Sequence, residues 1–394
     1  MNLALLDSAC EVYNAVQSVT GLATSSASPT DIYIINCKPD VKFGDNPVSH
    51  IFVKLCVSVS SITPEMFAFL EPFLPERKGM SKQELLLKRL TYAQAEYSAY
   101  DVVKHIYLSH MCPFFVRVYG VGFNCTYRQL RKLLKRAEHN FKRNIWYSLT
   151  NNVRRPAIDE DTKEDDSLYN TLDPKENLRF NLLLLQYVEH PSFMDLLLKR
   201  HYNNNITLLL KMVFMVGYAC YALNLNNLCH KDLHLRNVLI EPCPVRTLVL
   251  IIDSRAYELT ITEFPRLFDF DRSKGQPCAT SALDLFYFVG FFAASLESEA
   301  TKSLAKCFMN PFMRGFKRLV PYWQQPVLER QLEDTNFFIS KMETLPNVLY
   351  ALSKLIDLPI ISLESARNYA DVFIARRDVV DTSNVREFFF SKNR

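Results

Sequence analysis

The sequence predicts an α+β protein with two lobes, a small β-rich N-terminal lobe over residues 1–188 and a larger α-rich C-terminal lobe over residues 189–394. Short runs rich in Ile, Val, Phe and Tyr dominate the first part of the chain, whereas helical patterns dominate the second. A chain of 394 residues with 48% hydrophobic content can bury a large core, so two lobes are the ordinary expectation for this length.

The N-terminal lobe is predicted to begin with a hairpin. Residues 31–37 and 50–59 have strand composition, and the segment between them carries the turn chemistry of Pro, Gly, Asp and Asn. Residues 81–109 place apolar side chains at helical spacing, which predicts one long helix or two joined ones. Further strands are predicted over residues 114–119 and 182–187.

An insertion is predicted within this lobe, over about residues 125–177. Its first part, residues 127–143, has the pattern of a helix crowded with Lys and Arg. Residues 159–166 are too polar to fold by themselves and predict a loop. The basic helix is expected to be a solvated surface element, and the alternative is that it docks an acidic partner.

The C-terminal lobe contains two segments that are apolar on every side. Residues 206–225 are long enough to span a membrane, but Lys211 interrupts them and a polar motif follows closely. We therefore predict a buried helix and no membrane association. Residues 285–296 predict a second buried helix, as is typical of a sizeable α-rich lobe.

The composition limits the class of protein. The net charge of +4 is small and argues against a dedicated nucleic-acid binder. Ten cysteines at irregular spacing, without a C-x-x-C pair, predict reduced thiols in an intracellular protein. Residues 1–7 lack a basic start, so a secretory signal is not expected there.

The most informative stretch is C-H-K-D-L-H-L-R-N-V-L-I at residues 229–240, which sets Asp232 and Asn237 five positions apart after an apolar run. In the phosphotransferase loop H-R-D-L-x-x-x-N, the Asp orients and deprotonates the acceptor hydroxyl, and the Asn holds a magnesium ion. The apolar residues 238–240 and the later F-D-F-D at residues 268–271 strengthen the match.

The order of these motifs resembles that of the protein-kinase superfamily, from about residue 21 to the helix that begins near residue 285. The closest local likeness is to haspin and the serine/threonine kinases of large DNA viruses, which similarly have D-L-H-x-x-N. The resemblance implies a bilobal kinase fold, with ATP- and Mg²⁺-dependent transfer to serine or threonine of a protein substrate. It also implies a viral protein, acting in the host cytoplasm or nucleus or carried in the virion.

The resemblance assigns roles to individual residues of the loop and of the small lobe. Asp232 would be the catalytic base, and Asn237 a metal ligand. Lys54, in an apolar strand, would pair with the α- and β-phosphates of ATP. Glu96 would hold Lys54 in position, with Glu84 as the rival carboxylate.

Three further residues follow from the same likeness. His230 would brace the catalytic loop beneath the metal-binding turn. His234 would substitute for the Lys that protein kinases usually have two residues after the base. Asp284 would accept hydrogen bonds from the catalytic-loop backbone, because an unpaired buried carboxylate would be too costly.

The expected nucleotide site departs from the family at its glycine-rich loop, since G-x-G-x-x-G is absent. The segment that starts at Gly21 occupies the corresponding place and has small side chains that permit close approach to phosphates. Leu185 would be the gatekeeper, followed by a hinge whose backbone bonds adenine, formed by Gln186, Tyr187 and Val188.

The second metal ligand has two candidates. The spacing of common kinases favours Asp253, whereas Asp269 lies in D-F-D, which resembles D-F-G more closely. Haspin-like kinases carry an extra hairpin before this motif, and residues 248–252 with 257–261 would form one here. We therefore predict Asp269 as the ligand.

Two other functions remain open at the level of the sequence. Aminoglycoside and choline phosphotransferases similarly have H-x-D-L-H-x-x-N followed by an I-D-F-D type of motif, so His234 and Asp271 fit a small-molecule kinase equally well. A pseudokinase scaffold would explain the degenerate glycine loop and the missing A-P-E segment. The intact Lys54, Asp232, Asn237 and Asp269 oppose that third interpretation.

Overall fold

The computed structural model describes residues 2–3, 9–22, 31–126, 130, 133, 179–199, 201, 205–275, 284–285, 288–289 and 344–376. Helices and strands are mixed along the chain, which confirms the α+β class. The chain divides into two compact units, unit 1 with residues 1–104 and 117–187, and unit 2 with residues 105–116 and 188–394. The division after Tyr187 lies next to the predicted boundary, whereas the short segment 105–116 belongs to unit 2.

Unit 1 is built on a five-stranded antiparallel sheet. The strands of this unit with described bounds are β1 (Val16–Leu22), β2 (Asp31–Cys37), β3 (Lys42–Phe43), β4 (Asn46–Pro47), β5 (His50–Val57), β6 (Val118–Thr126) and β7 (Arg179–Gln186). The sheet has the order β1-β2-β5-β7-β6, and β3 and β4 pair separately. The predicted hairpin is confirmed, because β2 and β5 pair antiparallel with Tyr33 opposite Val53.

The α-helices with described bounds that begin in unit 1 are α1 (Pro64–Leu70) and α2 (Lys82–Leu108). The second is the predicted long helix, formed as one continuous element. Short 3-10 helices lie at Ala9–Ala15, Val59–Ser61 and Glu71–Phe73. Most of the predicted basic helix, and all of the acidic segment 159–166, lie outside the described residues; Leu130 and Leu133 are described and are buried.

The strand predicted over residues 114–119 is wrong in its position, since β6 begins at Val118. Phe115 forms an isolated bridge to Leu267, and the Val116 N–H donates to the carbonyl of Leu267 at 3.1 Å. These bonds hold the first predicted strand residues against the end of a long strand of unit 2. Strand composition alone does not show whether these residues extend β6 or pair with the segment that contains Leu267.

The α-helices of unit 2 with described bounds are α3 (Phe193–Leu198), α4 (Ile206–Leu225), α5 (Leu345–Leu355) and α6 (Leu363–Ala366). α4 has the predicted bounds and is long and apolar enough to cross a membrane, but most of it is buried in the protein. A Cβ at Gly217 would lie 2.6 Å from Leu349, so glycine is what lets α4 approach α5. Within the second predicted buried helix, Leu285 and Phe288 are described and are helical and buried.

A long hairpin dominates the strands of unit 2. The strands are β8 (Leu228–Cys229), β9 (Val238–Ile252), β10 (Arg255–Leu267), β11 (Lys274–Gly275), β12 (Ile360–Ile361) and β13 (Val372–Ile374). A four-stranded sheet has the order β12-β10-β9-β13, and β11 pairs with β8. Asp253 and Ser254 turn the chain between β9 and β10 with positive φ at both positions, as in the type I′ turn common in two-residue hairpins.

Arg266 is a buried cation that ties the hairpin to residues 113–115 of the same unit. Its Nε donates to Glu241 at 2.5 Å, and one Nη donates to the carbonyl of Pro113 at 2.7 Å. We predict that Arg266→Leu lowers the free energy of unfolding by about 3–5 kcal/mol, because it leaves the Glu241 carboxylate without its partner. Urea denaturation measures this loss, and a change below about 1 kcal/mol, the scale of an exposed pair, would contradict the assigned role.

The oxidation state of one cysteine differs from that expected from the sequence. Cys125 is disulfide-bonded, so the expectation of reduced thiols is wrong for this residue. Six further cysteines are free, namely Cys37, Cys56, Cys112, Cys220, Cys229 and Cys243. Spacing between cysteines carries no information on which Cβ atoms the fold brings together.

Candidate active site

An internal ion pair in unit 1 joins Lys54 of β5 to Glu96 of α2. Strand alternation buries Val53 and Leu55 on either side of Lys54, and the lysine Nζ lies 2.5 Å from Glu96 Oε1. The two side chains are only 12% and 3% exposed. At this burial, neither charge is tolerable without the other, so the pair holds the lysine ammonium at one place.

The rival carboxylate Glu84 has a different task. It accepts hydrogen bonds from the backbone N–H and the hydroxyl of Ser81, while its own N–H donates to the Ser81 hydroxyl. This reciprocal arrangement is a capping box at the start of α2. The structure therefore brings Glu96, and not Glu84, to Lys54.

In unit 2, the loop that follows β8 is held by the buried Asp284. The Asp284 carboxylate accepts from the backbone N–H groups of His230 and Lys231, at 2.8 and 2.9 Å. Lys231 has a φ of 64°, a conformation that a non-glycine residue keeps only where its surroundings stabilise it. The hydrogen bonds expected from Asp284 to this loop are thus present, and they fix its sharp bend.

His230 connects the same loop to the D-F-D turn. It is fully buried, its Nε2 donates to the carbonyl of Phe268 at 2.9 Å, and its ring lies 4.7 Å from the ring of Phe270. Asp269, between these two residues, has a φ of 65°. The imidazole therefore contacts the chain on both sides of Asp269.

Asn237 is oriented by its amide. The side-chain Nδ2 donates to the backbone carbonyl of Asp232 at 2.9 Å, and the backbone carbonyl of Asn237 accepts from the N–H of Phe268 at 3.1 Å. Because the amide nitrogen is engaged inside the loop, Oδ1 is the atom that remains to bind a ligand. The 3-10 turn Leu235–Asn237 that carries Asn237 begins at His234, whose Nδ1 accepts from the Arg236 N–H.

Asp232 is half-buried and has two basic neighbours. Its Oδ2 lies 3.9 Å from His234 Nε2 and 3.6 Å from Arg272 Nε. Sequence comparison with kinase motifs identifies His234 through its position two residues after Asp232. No such signal identifies Arg272, whose approach to Asp232 depends on how the segment after Asp269 folds.

The hairpin separates the two candidate metal ligands. Asp253 lies in the turn between β9 and β10, where it accepts a hydrogen bond from the Tyr221 hydroxyl at 2.5 Å. Burial, followed by the hydrogen bond to Asp253, raises the pKa of Tyr221 well above its usual value. The predicted hairpin is confirmed, and Asp269 rather than Asp253 follows β10 directly and adjoins the loop of Asp232 and Asn237 through His230.

The predicted gatekeeper and hinge residues lie at the end of β7 and in the segment that follows it. Leu185 is buried and pairs with Phe52 and Val118, while Gln186 exchanges bonds with Arg117 through its N–H and its side-chain Oε1. The Tyr187 ring lies 5.7 Å from the ring of His50, and Val188 begins the next segment of unit 2. Gly21 lies in β1 opposite Tyr33, and residues 23–28 lie outside the described part of the chain.

The side-chain oxygens of Asn237 and Asp269 suit an open magnesium site better than a site in which protein ligands alone enclose the metal. Among the described residues, no group of three or more His, Cys, Asp and Glu could hold a metal ion. Magnesium commonly takes one or two protein oxygens and completes its shell with water and substrate phosphates. The oriented Asn237 amide oxygen and the half-buried Asp269 carboxylate are of the chemical type that could serve as such ligands.

Comparison with known proteins gives no assignment for this chain, since neither a scan against protein-family models nor a search of curated proteins found a match. Any functional interpretation therefore rests on the contacts described within each unit.

Proposed function

We propose that the chain is an ATP- and Mg²⁺-dependent phosphotransferase with the bilobal protein-kinase fold, acting on serine or threonine hydroxyls of proteins. The observation that supports this best is the set of contacts that lock residues 230–237 to the D-F-D turn. Asp284 holds the loop backbone, His230 bridges to Phe268 and Phe270, and Asn237 closes onto Asp232. A chance H-x-D-x-x-x-x-N match has no reason to carry all of these contacts.

Each residue has a distinct task in the proposed reaction. Asp232 orients the acceptor hydroxyl and takes its proton as the phosphoryl group is transferred. Asn237 and Asp269 would hold the metal through hard oxygens. A magnesium ion held by these residues would supply positive charge to offset the negative charge that develops on the phosphates. Lys54, fixed by Glu96, would supply a positive charge to the α- and β-phosphates.

The Lys54 role leads to a prediction. Lys54→Met is expected to reduce transfer by about 10²-fold or more, because a nucleotide bound without this cation is misplaced relative to the acceptor. Initial rates with labelled ATP measure the loss, and Lys42→Met, at an exposed lysine of the same unit, is the matched control. Equal rates for both variants would mean that Lys54 is an ordinary strand residue.

The acceptor is tested directly. Purified protein is incubated with labelled ATP and Mg²⁺ in the presence of casein, mixed histones, an aminoglycoside or choline, and each reaction is repeated with Asp232→Asn. Transfer to casein or histones that depends on Asp232 supports the proposed function. Transfer confined to the small alcohols supports the alternative, which is favoured by His234 beside Asp232 and by the exposed Asp271 of D-F-D. No Asp232-dependent transfer in any reaction rejects both.

A further inference from the structure

The segment after Asp269 folds back onto the loop that carries Asp232. Phe270 packs on His230, the buried Ser273 donates its hydroxyl to the carbonyl of His230 at 3.3 Å, and β11 pairs antiparallel with β8. Arg272 lies between the first two of these attachments. Its backbone is therefore held beside the catalytic loop, even though its side chain is largely exposed.

Two basic side chains converge on one oxygen of Asp232. Arg272 Nε lies 3.6 Å and His234 Nε2 3.9 Å from Oδ2. His234 accepts the Arg236 N–H at Nδ1, so the proton of the neutral ring lies on Nε2, the nitrogen that faces Asp232. Both distances are longer than a hydrogen bond, so the two contacts are electrostatic, and both are to Oδ2.

We propose that Arg272 is a positioning residue for the proposed base: together with His234 it holds Asp232 by Oδ2, which presents Oδ1 to the acceptor hydroxyl. This inference rests on the proposed function. Arg272 is suited to the task because its guanidinium is always charged and offers its donors in a rigid plane. Arg272 also couples the loop that carries Asp232 to the segment after Asp269, since the base is oriented only when that segment is folded onto the loop.

The exposure of the pair separates a positioning role from a stabilising one. The Arg272 side chain is 67% exposed and that of Asp232 is 23% exposed. An ion pair this open contributes little to the free energy of unfolding, because water and salt screen it. Loss of Arg272 should therefore leave the melting temperature nearly unchanged, while the rate of transfer falls.

The test uses the full chain, with casein and mixed histones as acceptors. Arg272→Gln and Arg272→Ala are expected to lower kcat roughly 10- to 100-fold, the scale of a misoriented catalytic group, with the KM for ATP within about twofold of wild type. Arg272→Lys should recover part of kcat. Low, non-denaturing guanidinium ion should raise kcat of Arg272→Ala but not of Arg272→Gln, whose longer side chain fills part of the space. Arg367→Gln, at an exposed arginine of the same unit, is the matched control.

The possible failures are distinguishable. If wild type shows no Asp232-dependent transfer, the proposed function fails and the role of Arg272 fails with it. If wild type is active and Arg272→Gln matches Arg367→Gln, or exceeds wild type, the positioning role alone is rejected. If the Arg272 variants melt at a much lower temperature and guanidinium does not restore kcat, the contact is a structural one and the inference is overturned.

Discussion

Asp232→Asn is expected to lower phosphoryl transfer by about two to four orders of magnitude while leaving the fold intact. The two side chains have the same size, so the variant loses the proton acceptor and little packing. The link to Asn237 survives, because Asn237 donates to the backbone carbonyl of Asp232 and not to its side chain. Nucleotide and metal binding should therefore remain close to those of wild type.

The experiment compares initial transfer rates, melting temperatures and nucleotide affinities of wild type, Asp232→Asn and a matched variant. Asp357→Asn is a suitable control, because Asp357 is exposed and its positive φ of 50° is one that Asn accepts readily. A rate near that of wild type for Asp232→Asn would remove this residue from the chemistry. A rate loss accompanied by a large fall in melting temperature would indicate a structural effect instead.

Asp269→Ala is expected to abolish the stimulation of nucleotide binding by Mg²⁺, whereas Asp253→Ala is expected to spare it. Asp269 is half-buried, lies between the two residues that His230 contacts, and would supply one of only two protein ligands, so its loss removes a large part of the proposed metal site. Asp253 lies in the hairpin turn and bonds Tyr221. Its removal should lower the melting temperature without changing the response to magnesium.

The two variants form a matched pair, because both aspartates have positive φ and alanine is strained equally in kind at either position. Calorimetric titration of an ATP analogue at increasing Mg²⁺ concentration measures the nucleotide affinity, and thermal unfolding measures the melting temperature. The reverse pattern, with magnesium dependence lost in Asp253→Ala, would place the metal at the hairpin turn and reject Asp269 as its ligand.

Elements with strong local signals were predictable from the sequence. The bounds of α4 agree because twenty consecutive positions are almost wholly apolar, and β2 agrees because strand-forming residues are enclosed by turn residues. The hairpin β9–β10 was predicted, but the observed strands are longer than the predicted ones. The part farther from the turn carries polar residues and prolines, which do not indicate a strand. The disulfide at Cys125 and the start of β6 were not predictable, because both depend on distant parts of the chain.

The sequence by itself determined the chemistry-bearing residue types and their order: a strand lysine, a helix glutamate, the H-x-D-x-x-x-x-N loop and the D-F-D motif. Tertiary structure alone decided which of these meet. It selected Glu96 over Glu84 for Lys54, used Asp253 in a hairpin turn, and brought Arg272 to Asp232. The residue types along a chain and their spacing set the local conformation. Contacts between residues far apart in sequence arise only when packing folds one segment onto another.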